Sequence, residues 1–76
     1  MKHMRTETGS RNLVGPRVRI LRQARGLSQE KLMGMDAERG VIKRIENGTR
    51  AVSDLELRVL ARYFHVSYEY LIDGTE

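Results

Sequence analysis

The sequence contains no cysteine and no tryptophan, and it has one proline and two histidines among its 76 residues. Without cysteine the chain cannot form a disulfide framework or a zinc ribbon, and nothing indicates an oxidising compartment. His3 and His65 are too few and too far apart in sequence to form a metal site by themselves. We therefore expect no metal and no cofactor.

Long apolar runs are also absent, since the longest contains two or three residues. This excludes a membrane-spanning helix and the apolar region of a signal peptide within this sequence. No Ser/His/Asp constellation stands out and no glycine-rich loop follows a strand-like run, so we do not expect an enzyme. A chain of this length forms one domain, which buries about 60% of its unfolded surface. These features predict a small intracellular binding module.

The charge is distributed unevenly along the chain. The formal net charge is +4, but residues 1–16 carry +2, residues 17–50 carry +5 and residues 51–76 carry −3. A basic segment followed by an acidic one is typical of a protein with one face for a polyanion and another face for different contacts. Solvated helix surface produces similar charge runs, so composition alone leaves both interpretations open.

The hydrophobic pattern predicts an N-terminal arm followed by an all-α domain. Residues 1–13 show no apolar period, and we expect a mobile arm or, in part, a remnant of cloning. Residues 14–76 show helical periods separated by tight turns, with no strand pattern and no repeat. We expect them to form a compact bundle of five short helices.

Two of the predicted helices lie in the first half of the domain. Pro16 suits a first helical turn and Gly26 suits a helix end, so the first helix is predicted over about 16–25. Ser28 is a candidate N-cap, and it predicts a second, short helix over about 29–33.

The remaining three helices also have boundary signals. The third is predicted to begin near Asp36 or Glu38 and to end at Asn47-Gly48, a pair that tolerates left-handed backbone. The fourth is predicted over 54–64, where Ser53 and Glu56 have the spacing of a capping box. The fifth follows Ser67, a further N-cap candidate, and extends through Ile72.

Three segments of the chain resemble the helix-turn-helix family of lambda-type phage repressors and Cro proteins, also called XRE-like regulators. They are RQARGLSQEKL at 22–32, IKRIENGTR at 42–50 and LARYFHVSYEYLIDG at 60–74. The resemblance covers about residues 16–74. It implies a lambda repressor-like fold and a sequence-specific, repressor-like transcriptional regulator that binds double-stranded DNA in the cytoplasm, at the nucleoid.

The resemblance assigns a DNA-reading role to the third helix, the recognition helix, over about 37–46. In the family this helix lies in the major groove. Arg39 and Arg44 match base-reading positions, and arginine can donate two hydrogen bonds to guanine. Lys43 suits a phosphate contact, and Glu38 either caps the helix or accepts from cytosine. The outward positions are Glu38, Arg39, Gly40, Lys43 and Arg44.

The resemblance also implies supporting residues. Arg22 and Glu46 match an internal ion pair, although they could be unrelated surface charges. Gln29 matches a residue that contacts a DNA phosphate and buttresses the next helix, although it could be an ordinary polar residue of a first turn. The loop residues expected to bind a phosphate are Asn47, Thr49 and Arg50.

Two departures from the family pattern leave a second function open. The segment near 33–36 is one residue shorter than usual, and Gly40 would lie inside the recognition helix at a cost of about 1 kcal/mol. An alternative is therefore a protein-interaction module of the same fold, such as an antitoxin or adaptor. For the DNA-binding function we expect a homodimer on a pseudo-palindromic site, with half-sites about 34 Å apart. Tyr68 and Tyr70, in the acidic segment, are candidates for the dimer surface.

Overall fold

A computed structural model of the protein describes residues 9–29 and 40–75. These residues form four α-helices: α1 (Gly15–Ala24), α2 (Val41–Asn47), α3 (Asp54–Phe64) and α4 (Tyr68–Asp73). The described residues contain no strand, which confirms the all-α prediction. Five helices were predicted, and the described residues contain four. The helix predicted over 29–33 lies outside the described residues except for Gln29, which is in a turn.

Capping side chains set the starts of α3 and α4. The Ser53 hydroxyl accepts from the Glu56 amide at 3.1 Å, and the Glu56 carboxylate accepts from the Ser53 amide at 3.0 Å. This is the predicted capping box, and α3 has the predicted bounds. At α4 the Ser67 hydroxyl accepts from the Tyr70 amide at 3.0 Å, as its N-cap position predicts. Both helices therefore begin where a local side-chain signal places them.

The helix α1 begins at Gly15, one residue before the predicted start, with Pro16 in its first turn. A side chain at position 15 would collide with the backbone oxygen of Ile45, in the last turn of α2. Glycine at this position therefore allows the start of α1 to pack directly against the end of α2.

The helix α2 is shorter than the predicted recognition helix over 37–46. It begins at Val41, because Gly40 is its N-cap with a left-handed backbone (φ 77°, ψ 26°) that a helix interior does not adopt. The prediction that Gly40 lies inside the helix and weakens it was therefore wrong. The helix ends at Gly48, also left-handed, and the amides of Gly48 and Thr49 donate to the carbonyls of Ile45 and Arg44 at 3.1 and 3.0 Å. This is the Schellman arrangement, which glycine favours.

One apolar core joins the four helices. The helix α1 packs against α2 and α4, and α3 packs against α4. No helix within residues 9–29 and 40–75 is both long and apolar enough to cross a membrane. The core holds α2 by its inner side, which leaves the other side of this short helix outside. The buried core residues are Val14, Val18, Ile42, Ile45, Leu60, Ala61, Phe64 and Leu71.

Candidate nucleic-acid interface

The helix α2 has one buried side and one exposed side. Ile42, Ile45 and Glu46 are buried, whereas Lys43, Arg44 and Asn47 are exposed. Residues three and four positions apart share one side of a helix, so Gly40 lies on the same side as these three exposed residues. A Cβ atom at Gly40 would lie 3.9 Å from Nη1 of Arg44. We call this side the outer α2 face, defined by Gly40, Lys43, Arg44 and Asn47.

The outer α2 face contains four of the residues that the sequence predicts for DNA contact. Two others, Glu38 and Arg39, lie outside the described residues. The remaining three are found beside the face, in a turn and in a loop: Gln29, Thr49 and Arg50.

An ion pair joins α1 to the buried side of α2. Nε of Arg22 lies 2.6 Å from Oε2 of Glu46, and Nη2 of Arg22 donates to Oε1 at 3.1 Å. The Glu46 side chain is fully buried and that of Arg22 is largely buried. This is the pair that the family resemblance implies for these two positions, and its two parallel hydrogen bonds fix the relative position of the two helices.

Two further donors complete the surroundings of Glu46. Nε2 of Gln29 donates to Oε1 at 3.0 Å, and Nε of Arg19 donates to the same oxygen at 3.3 Å. Burial acts to raise the pKa of the Glu46 carboxyl. The hydrogen bonds from Arg22 and Gln29, the charge of Arg22 and the hydrogen bond from Arg19 outweigh burial, so the pKa lies below its usual value. The carboxylate therefore stays ionised and links three segments of the chain.

Arg19 is a residue that the sequence analysis did not select. Its Nη2 donates to Oδ1 of Asn47 at 3.2 Å, and its side chain is about half exposed. A signal was available, because Arg19 lies three residues before Arg22 and so shares a side of α1 with it. Arg19 orients Asn47 and adds a positive charge at the edge of the outer α2 face.

Residues 9–13, which belong to the segment predicted as an arm, form a strap across the end of α2. The Arg11 amide donates to the Gly48 carbonyl at 2.8 Å. Nδ2 of Asn12 donates to the carbonyls of Ile45 at 3.0 Å and Arg50 at 2.8 Å, while its Oδ1 accepts from the Gly15 amide at 2.8 Å. Asn12 thus connects the start of α1, the last turn of α2 and the loop that follows it. Residues 1–8 lie outside the described residues.

Thr49 and Arg50 lie in the loop between α2 and α3. The Thr49 residue is exposed, and its hydroxyl lies 3.4 Å from the Arg44 carbonyl. Arg50 donates from Nη1 and Nη2 to the two Glu56 carboxylate oxygens, each at 2.8 Å. These hydrogen bonds from Arg50 lower the pKa of Glu56. The charge of Arg50 is already balanced, so its contacts fix the loop against the start of α3.

Among the described residues, basic side chains lie on and beside the outer α2 face. The carboxylate of Glu46, on α2, is buried and paired, and that of Glu56 is paired with Arg50. Lys43 and Arg44 on this face and Arg19 at its edge contribute hydrogen-bond donors and positive charge, which suits an anion with many acceptors. Among the described residues, no three His, Asp or Glu side chains come together as metal ligands.

Comparison with known proteins assigns the same elements to one family. A family model described as helix-turn-helix matches residues 18–71, which extend from α1 into α4. No curated protein and no solved structure matches this chain. The matched range includes the Glu46 ion pair and the outer α2 face.

Proposed function

Because this chain belongs to the helix-turn-helix family of the lambda-repressor type, we propose that it is a sequence-specific, repressor-like regulator of transcription that places the outer α2 face in the major groove of double-stranded DNA. The observation that carries the proposal is the two-sided character of α2. Its inner side is held by the core and by Glu46, while Lys43, Arg44 and Asn47 project outward. A helix fixed in this way can present side chains to base edges in a defined register.

The exposed residues divide into base-reading and positioning roles. Arg44 is our candidate for base reading, since its guanidinium can donate to O6 and N7 of one guanine with a discrimination of about 1–3 kcal/mol. Lys43, Asn47 and Thr49 are our candidates for phosphate contacts, which set the register without reading sequence. We assign Gln29 to buttressing, because its amide nitrogen donates to Glu46.

We further propose a homodimer on a pseudo-palindromic site, acting in the cytoplasm at the nucleoid. The uneven charge supports this arrangement, because the positive outer α2 face would meet DNA while the acidic residues 51–76 would supply other contacts. Half-sites about 34 Å apart would place both copies on one side of the duplex.

Selection of bound duplexes from a random DNA pool tests this function. We expect the wild-type chain to enrich a pseudo-palindromic consensus, and Arg44→Ala to lose one base preference within each half-site. Arg17→Ala is the matched control. Arg17 lies about 200° around α1 from Arg19 and contacts Gly74, after α4. We expect this variant to keep the wild-type consensus.

Either of two results would reject the proposal that α2 reads the DNA sequence. If the folded wild-type chain enriched no sequence at moderate salt, or if Arg44→Ala and Arg17→Ala kept the same consensus, the outer α2 face would have another partner. A pull-down would then test the protein-interaction module, antitoxin or adaptor, that shares this fold.

A further inference from the structure

Two apolar side chains form a ridge on the outside of α3. Leu55 is 70% exposed and Val59 is 47% exposed. They lie four residues apart, so they are neighbours on one side of the helix, and they face away from the buried residues Leu60, Ala61 and Phe64. We call Leu55 and Val59 the α3 ridge. Single exposed apolar residues are ordinary on a protein surface, whereas large contiguous apolar patches mark contact sites.

A groove lies directly beside the α3 ridge. It has a volume of about 330 Å³ and is mostly apolar, with Tyr68 of α4, itself 46% exposed, forming part of its wall. The α3 ridge, which projects, and the groove, which is a recess, therefore lie next to each other on one surface. This combination suits an isologous contact, in which the same patch of two copies must complement itself. The groove is lined by Asp54, Leu55, Leu57, Arg58 and Tyr68.

The charges along α3 fit the same kind of contact. Asp54 is in the first turn and Arg62 is in the last turn. If two copies of α3 pack antiparallel about a two-fold axis midway between Leu55 and Val59, Leu55 of one copy meets Val59 of the other. The Arg62 end of each helix then lies beside the Asp54 end of the other, so opposite charges meet twice. Parallel packing would place like charges together.

We propose that the α3 ridge and its groove are the surface by which a second copy of this chain binds, with the two α3 helices antiparallel. The proposal deepens the dimer of the proposed function, because it names the residues at the two-fold axis. It assigns Tyr68 to the rim of the contact. A surface of this size lies in the class of weak interfaces, so the dimer forms at high protein concentration and is strengthened when both copies occupy adjacent half-sites.

Sedimentation equilibrium of the purified 76-residue chain without DNA tests the ridge. We expect the wild-type chain to dimerise, and Leu55→Lys and Val59→Lys each to raise the dimer dissociation constant about tenfold or more. Ile20→Lys is the matched control, because Ile20 is 56% exposed and lies on a different helix, α1. We expect this control to dimerise as the wild type does. Circular dichroism confirms that each variant is folded.

A charge exchange tests the antiparallel arrangement separately. We expect Arg62→Asp and Asp54→Lys each to weaken the dimer, since each places like charges opposite one another. The double variant restores the attraction with reversed signs, so it should dimerise more tightly than either single variant. If the two substitutions acted only by perturbing the fold of each copy, their effects on the dimer dissociation constant would add in the double variant instead of cancelling.

The proposal is overturned if the wild-type chain stays monomeric at the highest attainable concentration. It is equally overturned if the ridge variants dimerise like Ile20→Lys, or if the double charge variant is no tighter than the single variants. Because sedimentation uses no DNA, it is independent of the duplex selection. A dimer that enriches no sequence would reject sequence-specific DNA binding and leave the ridge standing. A monomer that enriches a single half-site would reject the ridge, together with the homodimer of the proposed function, and leave DNA reading by α2 standing.

Discussion

His65 is the one residue other than glycine with positive φ among the described residues. It is the C-cap of α3, with φ 57° and ψ 47°. An L-residue in this region is strained by the contact between its Cβ and the backbone, which glycine avoids. We expect His65→Gly to raise the free energy of unfolding by about 0.5–1 kcal/mol, because relief of strain exceeds the added flexibility of the unfolded chain. Urea denaturation measures this change.

The matched control is His65→Ala, which removes the imidazole and keeps Cβ. We expect it to give no stabilisation, since the strain remains. Equal gains from glycine and alanine would show that the ring, and not the backbone conformation, is unfavourable here.

Glu46 makes stability depend on pH in a defined direction. Its pKa is lowered in the folded protein, so the unfolded chain binds the proton more readily. The resulting stabilisation is complete above the unfolded pKa of about 4.3 and is lost as the pH falls through the lower folded pKa. We expect the free energy of unfolding, measured by urea denaturation between pH 7 and pH 3, to decrease in the acid part of this range.

Variants separate the contribution of Glu46 from that of Glu56, whose pKa is also lowered. At pH 7 we expect Glu46→Gln to lose about 3–5 kcal/mol, because Arg22 stays largely buried without its anion. We expect Glu56→Gln to cost less, since its pair with Arg50 is partly exposed. A Glu46→Gln profile as steep in acid as that of the wild type would contradict the assignment.

At the scale of the helices, sequence analysis predicted the helix ends that depend on contacts between residues close together in the chain. The capping box of α3, the Ser67 cap of α4 and the Gly48 stop of α2 are contacts within a few residues, so residue type and spacing reveal them. The position of Gly40 relative to α2 was predicted wrongly, because the sequence does not distinguish a glycine at a helix start from a glycine inside a helix. The left-handed backbone angles of Gly40 in the structure place it at the helix start.

The contacts of Asn12 could not be predicted from sequence for a different reason. Its two acceptors are backbone carbonyls of residues 33 and 38 positions away. Since every residue has a carbonyl, no residue type marks the partner. The role of Arg19 could be predicted only in part. The sequence shows that Arg19 shares a side of α1 with Arg22, but its proximity to Glu46 and Asn47 depends on the packing of α1 against α2.

Asn12 ties the strap to the loop after α2, and its removal should loosen both. We expect Asn12→Ala to lower the free energy of unfolding by about 1–3 kcal/mol, because the Ile45 and Arg50 carbonyls lose a side-chain donor and the Gly15 amide loses its acceptor. The Ile45 carbonyl keeps its hydrogen bond from the Gly48 amide. Hydrogen exchange should accelerate at the amides of Gly15 and Arg11.

Asn12→Asp is the matched variant, since a carboxylate can accept from the Gly15 amide but cannot donate to the two carbonyls. We expect it to keep protection at Gly15 and to lose protection at Arg11, whose amide bonds to Gly48 in the loop. Unchanged exchange at both amides in Asn12→Ala would show that the strap is held without the asparagine.

At the scale of the whole molecule, the two charge regions contribute different surfaces. Residues 17–50 carry a net charge of +5, and their described part includes the outer α2 face; residues 51–76 carry −3 and include the α3 ridge. Ile42 and Ile45 of α2 belong to the same apolar core as Leu60 and Phe64 of α3, so the two surfaces keep a fixed relation. Under the two proposals, a duplex contacts the outer α2 face and a second copy contacts the α3 ridge.

The salt dependence of DNA binding tests whether the outer α2 face contacts the duplex. The measurement uses a duplex that holds a single half-site, where one copy binds alone. Each phosphate contact releases condensed cations, so the logarithm of affinity falls with the logarithm of salt concentration by about 0.9 per contact. We expect Lys43→Ala to reduce this slope by about 1 for every duplex sequence, because we propose that Lys43 contacts a phosphate. Arg17→Ala, on the opposite side of α1 from Arg19, should leave the slope unchanged although it removes the same charge. If both variants reduced the slope equally, net charge and not the outer α2 face would govern binding.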